Sequence, residues 1–436
     1  MSIFSTHLPA IHVEHHKNTS ECPTQKIPLP DKLYISMVQH IGAPCQPTVS
    51  AGDLVKVGQV IGDSEAFVSA PIHTGVSGKV VSIENSMSSV GIWDPIVTIS
   101  VDKNQETAEG IAPPEVTDKD SFLRAVRASG VVGLGGAAFP THVKFNPKNL
   151  DEVDTLIING AECEPYITAD YRTMMEDSEL LIDGIKTTMK YLGIGKAIIA
   201  IEANKEAAIK KLGDMVKDNP EIGVFTLKPM YPQGAERVII YETTGRVVPP
   251  GKLPADSGVI VSNVSSIVAI QQYIKTGMPL VSKRITVDGT AIKNPKNVEV
   301  LIGTPINKLV EFCGGYRRVP KKIIMGGPMM GRAIYDDGIA VIKNNNAILA
   351  FDQDWAEFPK ETACINCGRC VKACPMMLMP TTIFKAYDRR DVEALQKLNV
   401  TLCMECGSCS YVCPAKKQLS FINRLAKQLV AEGGKK

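Results

Sequence analysis

Apolar residues change their rhythm along the chain, and each change marks a different kind of element. From Leu29 to Val101 short apolar runs are punctuated by glycine. Val55, Val57, Val60 and Ile61 gather round Gly52-Asp53 and Gly58, and a second half follows as APIHTGVSGKVVSIE. Such runs predict strands, so 29–104 reads as an all-β domain behind an extension of residues 1–28. A polar, proline-containing linker runs from Gln105 to Thr117. Beyond it, helical and strand patterns alternate over 118–280. Helices are predicted at Asp120–Ala128, Glu179–Leu192 and Lys205–Lys217, and strands at Thr155–Asn159, Ala197–Glu202 and Val224–Leu227. That alternation argues for an α/β core with a largely parallel sheet. Residues 281–345 read as a small α+β unit, with RITVDG as a strand and INKLVEFCGG as a capped helix. A further strand leads into GGPMMG at Gly326–Gly331. In 358–428, Ile383, Phe384, Tyr387, Val392, Leu395 and Leu398 recur at helical spacing between Thr381 and Leu398. The tail Gly433-Gly434-Lys435-Lys436 reads as a frayed end.

Bulk properties narrow the class. A chain of 436 residues holds about three or four domains. A net charge of +2 gives no reason to expect nucleic acid. No apolar stretch is long enough for a transmembrane segment. The start, MSIFSTHLPAIHVEHH, lacks the regions of a secretory signal. Free cysteines in this number imply a reducing compartment, so the expected location is cytoplasmic.

The cysteines carry the strongest chemical signal. Cys364, Cys367, Cys370 and Cys374 precede Pro375, and Cys403, Cys406, Cys409 and Cys413 precede Pro414. Each run reads C-x2-C-x2-C-x3-C-P, the spacing that wraps a cubane iron–sulfur cluster, with the fourth cysteine reaching the other cluster. One cluster is therefore assigned to Cys364, Cys367, Cys370 and Cys413, the other to Cys403, Cys406, Cys409 and Cys374. Zinc favours separated C-x2-4-C pairs, and disulfide frameworks suit short secreted chains. Cys22, Cys45, Cys163 and Cys313 are read as small buried hydrophobes. His73, alone in a turn, is read as structural or solvated.

A second constellation lies in the α/β region. Gly133-Leu134-Gly135-Gly136-Ala137-Ala138 formally satisfies G-x-G-x-x-A, but a helix precedes it where a dinucleotide fingerprint has a strand. Glycines still let backbone N–H groups approach a phosphate or a flat ring, and Lys144 is placed to neutralise a phosphate. The strand at Ile157 runs into Asn159-Gly160-Ala161-Glu162-Cys163-Glu164, where open α/β sheets bind ligands. Glu236 in YPQGAERV adds an acid, and Ser262-Asn263 end the strand GVIVSN.

The segments SGVVGLGGAAFPTHVKF and NGAECEPYITADYR resemble the flavin-binding subunit of respiratory NADH dehydrogenase (complex I). The glycine-punctuated β halves resemble the biotinyl/lipoyl carrier fold, without the carrier lysine between Gly62 and Ala70. The domain order resembles the RnfC family of Rnf/Rsx electron transport complexes over nearly the whole chain. The resemblance implies a multidomain α/β and α+β architecture: an N-terminal β barrel-sandwich, an α/β flavoprotein core, an SLBB-like unit and a helical two-[4Fe-4S] ferredoxin-like domain. It implies an NAD-dependent oxidoreductase subunit with noncovalent FMN and NAD(H) as substrate. FMN would meet Gly133, Gly135, Gly136, Lys144, Asn159 and Asn263. NAD(H) would stack on Phe139 and meet Glu164 and Glu236, with Glu162 and Ser262 in the same site and Lys252 a weaker candidate. Expected partners are other subunits of a membrane-bound ion-transporting complex, including a ferredoxin-like iron–sulfur subunit, which would hold the chain at the inner face of the membrane. Two arginines of the complex I loop are Val132 and Leu134 here, its aspartate is Ala161, and one of its glycines is Ala138. A cobalamin (corrin) reductase of the same architecture and a relay module without a nicotinamide site are the alternatives. A flavin converts between two-electron and one-electron chemistry, which independently motivates one beside iron–sulfur clusters.

Overall fold

The computed structural model describes residues 8–87, 91–357 and 359–433. Phe358, the expected start of the last domain, and the tail Gly434, Lys435 and Lys436 lie outside the described residues. In the N-terminal domain two antiparallel sheets face each other. One orders its strands Lys32–Ser36, Trp93–Val101, Gly78–Met87, Leu54–Val55, and the other Gln46–Pro47, Val60–Asp63, Ile72–His73. Leu33, Ile35, Ile61, Ile72, Val80, Val97 and Ile99 fill the space between them.

His73 lies inside this domain at 5% exposure, and its Nδ1 has no partner among the described residues. Lys343 from far along the chain donates to Pro71 O at 2.6 Å and Gly130 O at 2.7 Å, so three domains meet here. Burial, then the charge of Lys343, pushes the His73 pKa down to about 3 from 6.5. A folded pKa below the unfolded one contributes stability that is complete above pH 6.5 and lost as pH falls toward 3. His73→Leu should flatten that loss, which reaches about 1.4 kcal/mol per pH unit. Urea midpoints measured from neutral to mildly acidic pH check this, and identical slopes in the two proteins contradict it.

The central domain is built on a parallel sheet ordered Ile222–Leu227, Lys196–Glu202, Thr155–Gly160, Val259–Asn263. Its inner strands are continuously apolar because helices cover both faces. The helices Ser178–Leu192 and Val264–Thr276 pack together on one of them. Strand Thr155–Gly160 has its successor on one side and the last strand on the other. The order therefore reverses between Thr155–Gly160 and Val259–Asn263, and Asn159 and Asn263 are register partners there. Ligands of open α/β sheets bind in that crevice, outside the carboxyl ends of the strands.

The third domain centres on a six-stranded sheet: Gln25–Lys26, Lys296–Leu301, Ser282–Asp288, Ala347–Phe351, Lys322–Met325, Arg332–Ile334. It is larger than the RITVDG pattern suggests, because the N-terminal extension supplies a parallel edge strand. Helix Ile306–Phe312 starts at Pro305 without a side-chain cap and is closed at its C-terminus as INKLVEFCGG suggests: Gly314 and Gly315 take φ 82° and 84°, and Gly315 N donates to Val310 O at 2.9 Å. The extension also ties the domains together. Ile11 and Tyr231 exchange backbone hydrogen bonds at 2.8 Å, and Asn297 Nδ2 donates to Thr19 O at 2.8 Å.

In the last domain the helix expected over 381–398 is two, Pro380–Asp388 and Val392–Lys397. Arg390 breaks them at φ 52°, and Asp391 caps the second through Ala394 N. Helix Leu419–Gly433 packs across both. Cys45, Cys163 and Cys313 are buried as expected of small hydrophobes, whereas Cys22 is partly exposed. Among the described residues no helix is long and apolar enough to cross a membrane.

Candidate functional site

Both cysteine runs fold into the same local shape. The residue before the second cysteine is left-handed in each, Asn366 at φ 52° and Glu405 at φ 59°, and Gly368 and Gly407 follow it at φ 71° and 80°. A short helix comes next, Arg369–Lys372 or Ser408–Tyr411. The structure brings each expected set of four sulfurs round one cavity. Cys374, Cys403, Cys406 and Cys409 line the first, and Cys364, Cys367, Cys370 and Cys413 the second. The sulfurs ring a space without converging on a point: among the described residues no three metal-binding side chains lie close enough to share one ion. Backbone amides of Asn366, Leu378 and Glu405 each donate to a cysteine sulfur at 3.4 Å. Donors aimed at an all-sulfur ring suit the thiolates of an iron–sulfur cluster.

The two rings differ in surroundings. Tyr231 Oη donates to Cys406 O at 2.7 Å, and Ile11, Val13, Cys163, Tyr231 and Ala373 form an apolar seam with Met329, Cys406 and Val412. The first ring is therefore docked on the central domain, and we refer to it as the inner ring. In the outer ring Cys364 and Cys367 are exposed, with Ile365 69% exposed between them.

The glycine loop sits at the reversal point of the sheet. Gly133 N donates to Phe139 O at 2.9 Å, and Ala138 takes φ 57° to close the turn. Gly135 lies so close to Asn263 that a Cβ would stand 2.4 Å from Nδ2, whereas a Cβ on Gly136 would meet nothing among the described residues within 4 Å. Asn263 is fixed at both ends: Oδ1 accepts from Ser265 N at 2.9 Å, and Nδ2 donates to Asp170 Oδ2 at 2.6 Å. Asn159 Nδ2 donates to Gly234 O at 2.8 Å. Ser262 is buried in its strand, Phe139 is half-buried, and Lys252 is exposed.

The charged candidates are engaged with protein groups. Lys144 donates to Glu236 Oε1 at 2.6 Å and to Val261 O at 3.1 Å, so the expected phosphate and nucleotide contacts form one ion pair. Glu162 accepts from Asp170 N at 2.6 Å and Tyr171 N at 3.2 Å, at the start of helix Ala169–Glu176. Glu164 accepts from Met329 N and Met330 N, each at 2.9 Å, tying its loop to GGPMMG. Gly327 is needed for that approach, since a Cβ would lie 2.3 Å from Glu164 Oε2. Burial raises both carboxyl pKa values to about 7.

Three supporting residues escape sequence reasoning. Lys17 Nζ donates to Glu162 O at 2.8 Å, Glu164 O at 2.9 Å and Ile167 O at 2.6 Å. Lys205 Nζ donates to Ala161 O at 2.7 Å beside the buried Glu202. Asn344 reaches across from the third domain to Gly136 O at 3.0 Å. Asn344 Oδ1, beside exposed Gly136, and Gln233 Oε1, next to Gly234, are buried polar atoms with no hydrogen-bond partner among the described residues. A glycine-floored crevice with unspent acceptors fits a flat, hydrogen-bonding ring system such as a flavin.

Residues 126–272 match the Nuo51 FMN-binding domain, 7–104 the RnfC barrel sandwich hybrid domain, 284–333 the SLBB domain and 358–414 the 4Fe-4S dicluster domain. The C subunit of the proton-translocating ferredoxin:NAD(+) oxidoreductase complex of Clostridium ljungdahlii is 45% identical over 84% of this chain and 81% of its own. The chain belongs to the RnfC family, the C subunits of ion-translocating oxidoreductase complexes. The C subunit of the Na(+)-translocating complex of Acetobacterium woodii is 40% identical over 88% of this chain and 87% of its own. That of the ion-translocating complex of Rhodobacter capsulatus is 37% identical over 89% and 76%. An NAD+-reducing [NiFe]-hydrogenase structure aligns at 20% identity, covering 72% of this chain and 62% of that one, with a TM-score of 0.49, too loose a likeness to bear on chemistry. The cofactors of this RnfC-family chain are FMN and two [4Fe-4S] clusters.

Proposed function

We propose that the chain exchanges electrons between NAD(H) and a ferredoxin-like partner within a membrane-bound ion-translocating complex, at whose inner, cytoplasmic face other subunits hold it. The relatives' names carry the ferredoxin and NAD chemistry. The observation that carries it to these residues is one short loop, 231–236. Its Tyr231 holds a cysteine ligand loop, its Gly234 meets Asn159, and its Glu236 meets Lys144.

Gly133, Gly135 and Gly136 floor the FMN site in this reading, with Asn159, Ser262 and Asn263 at its edge. Lys144 exchanges Glu236 for a phosphate when ligand binds. Phe139 stacks on the nicotinamide, and Glu162, Glu164 and Glu236 set the polarity where the dinucleotide enters. The inner ring of Cys374, Cys403, Cys406 and Cys409 and the outer ring of Cys364, Cys367, Cys370 and Cys413 each ligate one cluster. When bound, a flavin exchanges a hydride with nicotinamide and single electrons with clusters. Hydride transfer needs no side-chain acid or base, so the chain's task is to hold, orient and exclude water.

The isolated holoprotein should yield noncovalent FMN and about eight iron and about eight labile sulfide per chain. Anaerobic NADH should then bleach both chromophores. A chain whose clusters stay oxidised under NADH would be a relay without a nicotinamide site.

A further inference from the structure

We infer that Asn423 tunes the inner four-cysteine site, by aiming its side-chain amide at the sulfur of Cys403. The inference rests on the iron–sulfur reading of that ring. Asn423 is 1% exposed on helix Leu419–Gly433, and it lines the same cavity as the four inner cysteines. Its Nδ2 lies 3.5 Å from Cys403 Sγ, and its Oδ1 has no partner among the described residues. The other buried positions of this helix are Leu419 and Ala426, so residue 423 lies on its apolar stripe. An apolar side chain there would satisfy packing. A buried amide with a missing partner is costly, which makes its use the question.

Sulfur chemistry answers it. A free thiol brings its own S–H, but an iron-bound thiolate only accepts. The amide is therefore matched to the ligated form of Cys403. Reduction adds negative charge to a cluster and its sulfurs, and a donor aimed at sulfur stabilises that charge and raises the potential. Ser408, also 1% exposed, lies with its Oγ 3.4 Å from Cys406 Sγ in the same ring. In the outer ring Asn366 turns its carbonyl oxygen, not its amide, toward Cys364 Sγ at 3.7 Å, and Thr381 hydrogen-bonds Cys370 through its hydroxyl and its backbone. Asn423 thus biases the inner cluster toward holding an electron.

An EPR-monitored redox titration of the full-length holoprotein tests this, with the outer signal identified by its loss in Cys367→Ser. In Asn423→Leu the reduced-to-oxidised ratio of the inner cluster at a fixed ambient potential should fall about tenfold, about 59 mV for a one-electron couple. The outer cluster should not move. Asn423→Asp keeps the size but replaces the donor by an acid, and should shift the inner cluster further the same way. Unchanged inner potentials in both variants, or equal shifts of both clusters, overturn the inference. So does loss of the inner iron in both variants, which would make Asn423 an assembly residue. A wild-type chain without iron–sulfur signals overturns instead the reading on which the inference rests.

Discussion

Lys17→Met should destabilise the chain by about 3–5 kcal/mol and release FMN ahead of global unfolding. The lysine reaches from the N-terminal extension into the loop after strand Thr155–Gly160 and there donates to three carbonyls. Methionine replaces the apolar stem but none of the donors. Each orphaned buried carbonyl costs about 1–3 kcal/mol, and partial hydration keeps the sum below the arithmetic total. The loop so released carries Glu162 and Glu164, so the crevice loosens before the rest of the domain. Urea unfolding followed in parallel by circular dichroism and flavin fluorescence measures both effects. A midpoint within about 1 kcal/mol of wild type, with flavin retained, would show that the lysine holds nothing of consequence.

Gly135→Ala should lower FMN affinity by at least about a hundredfold, near 2.7 kcal/mol. The new methyl would press on Asn263 at 2.4 Å from Nδ2 and 2.8 Å from Cγ. Asn263 has no free direction in which to yield, being bound to Asp170 and Ser265. Gly136→Ala separates fold from ligand, because its Cβ meets nothing among the described residues within 4 Å. That variant should keep wild-type stability within about 0.5 kcal/mol yet bind FMN more weakly. Titrating flavin-free protein with FMN and following fluorescence quenching gives both affinities. Wild-type affinity in Gly136→Ala would move the flavin off this loop.

What the sequence reveals depends on how local the signal is. The cysteine loops are legible because their shape is set within ten residues, and left-handed Asn366 and Glu405 repeat it at the same offset. Asn159 and Asn263 are legible because strand ends in α/β folds are ligand positions whatever the side chain. The Lys144–Glu236 pair spans 92 residues and the Glu164–Met329 bond 165, and neither leaves a periodic trace. Lys17 is invisible for a sharper reason: its partners are backbone carbonyls, which no residue identity announces. The break at Arg389–Asp391 is hidden because helical spacing holds on either side of it, and the step of five from Tyr387 to Val392 is the single irregularity. The SLBB-like sheet is underestimated because one of its strands comes from residues 25–26, about 270 positions away from its neighbour Lys296–Leu301.

The N-terminal extension is made before every residue that holds it. Asn18 bonds Asp288 at 3.2 Å, and Thr19 meets Asn297, so its berth does not exist until those residues have been translated. Vectorial synthesis thereby delays the finished pocket until residues as late as Asn297 have been made, ahead of the cysteines at 364–413.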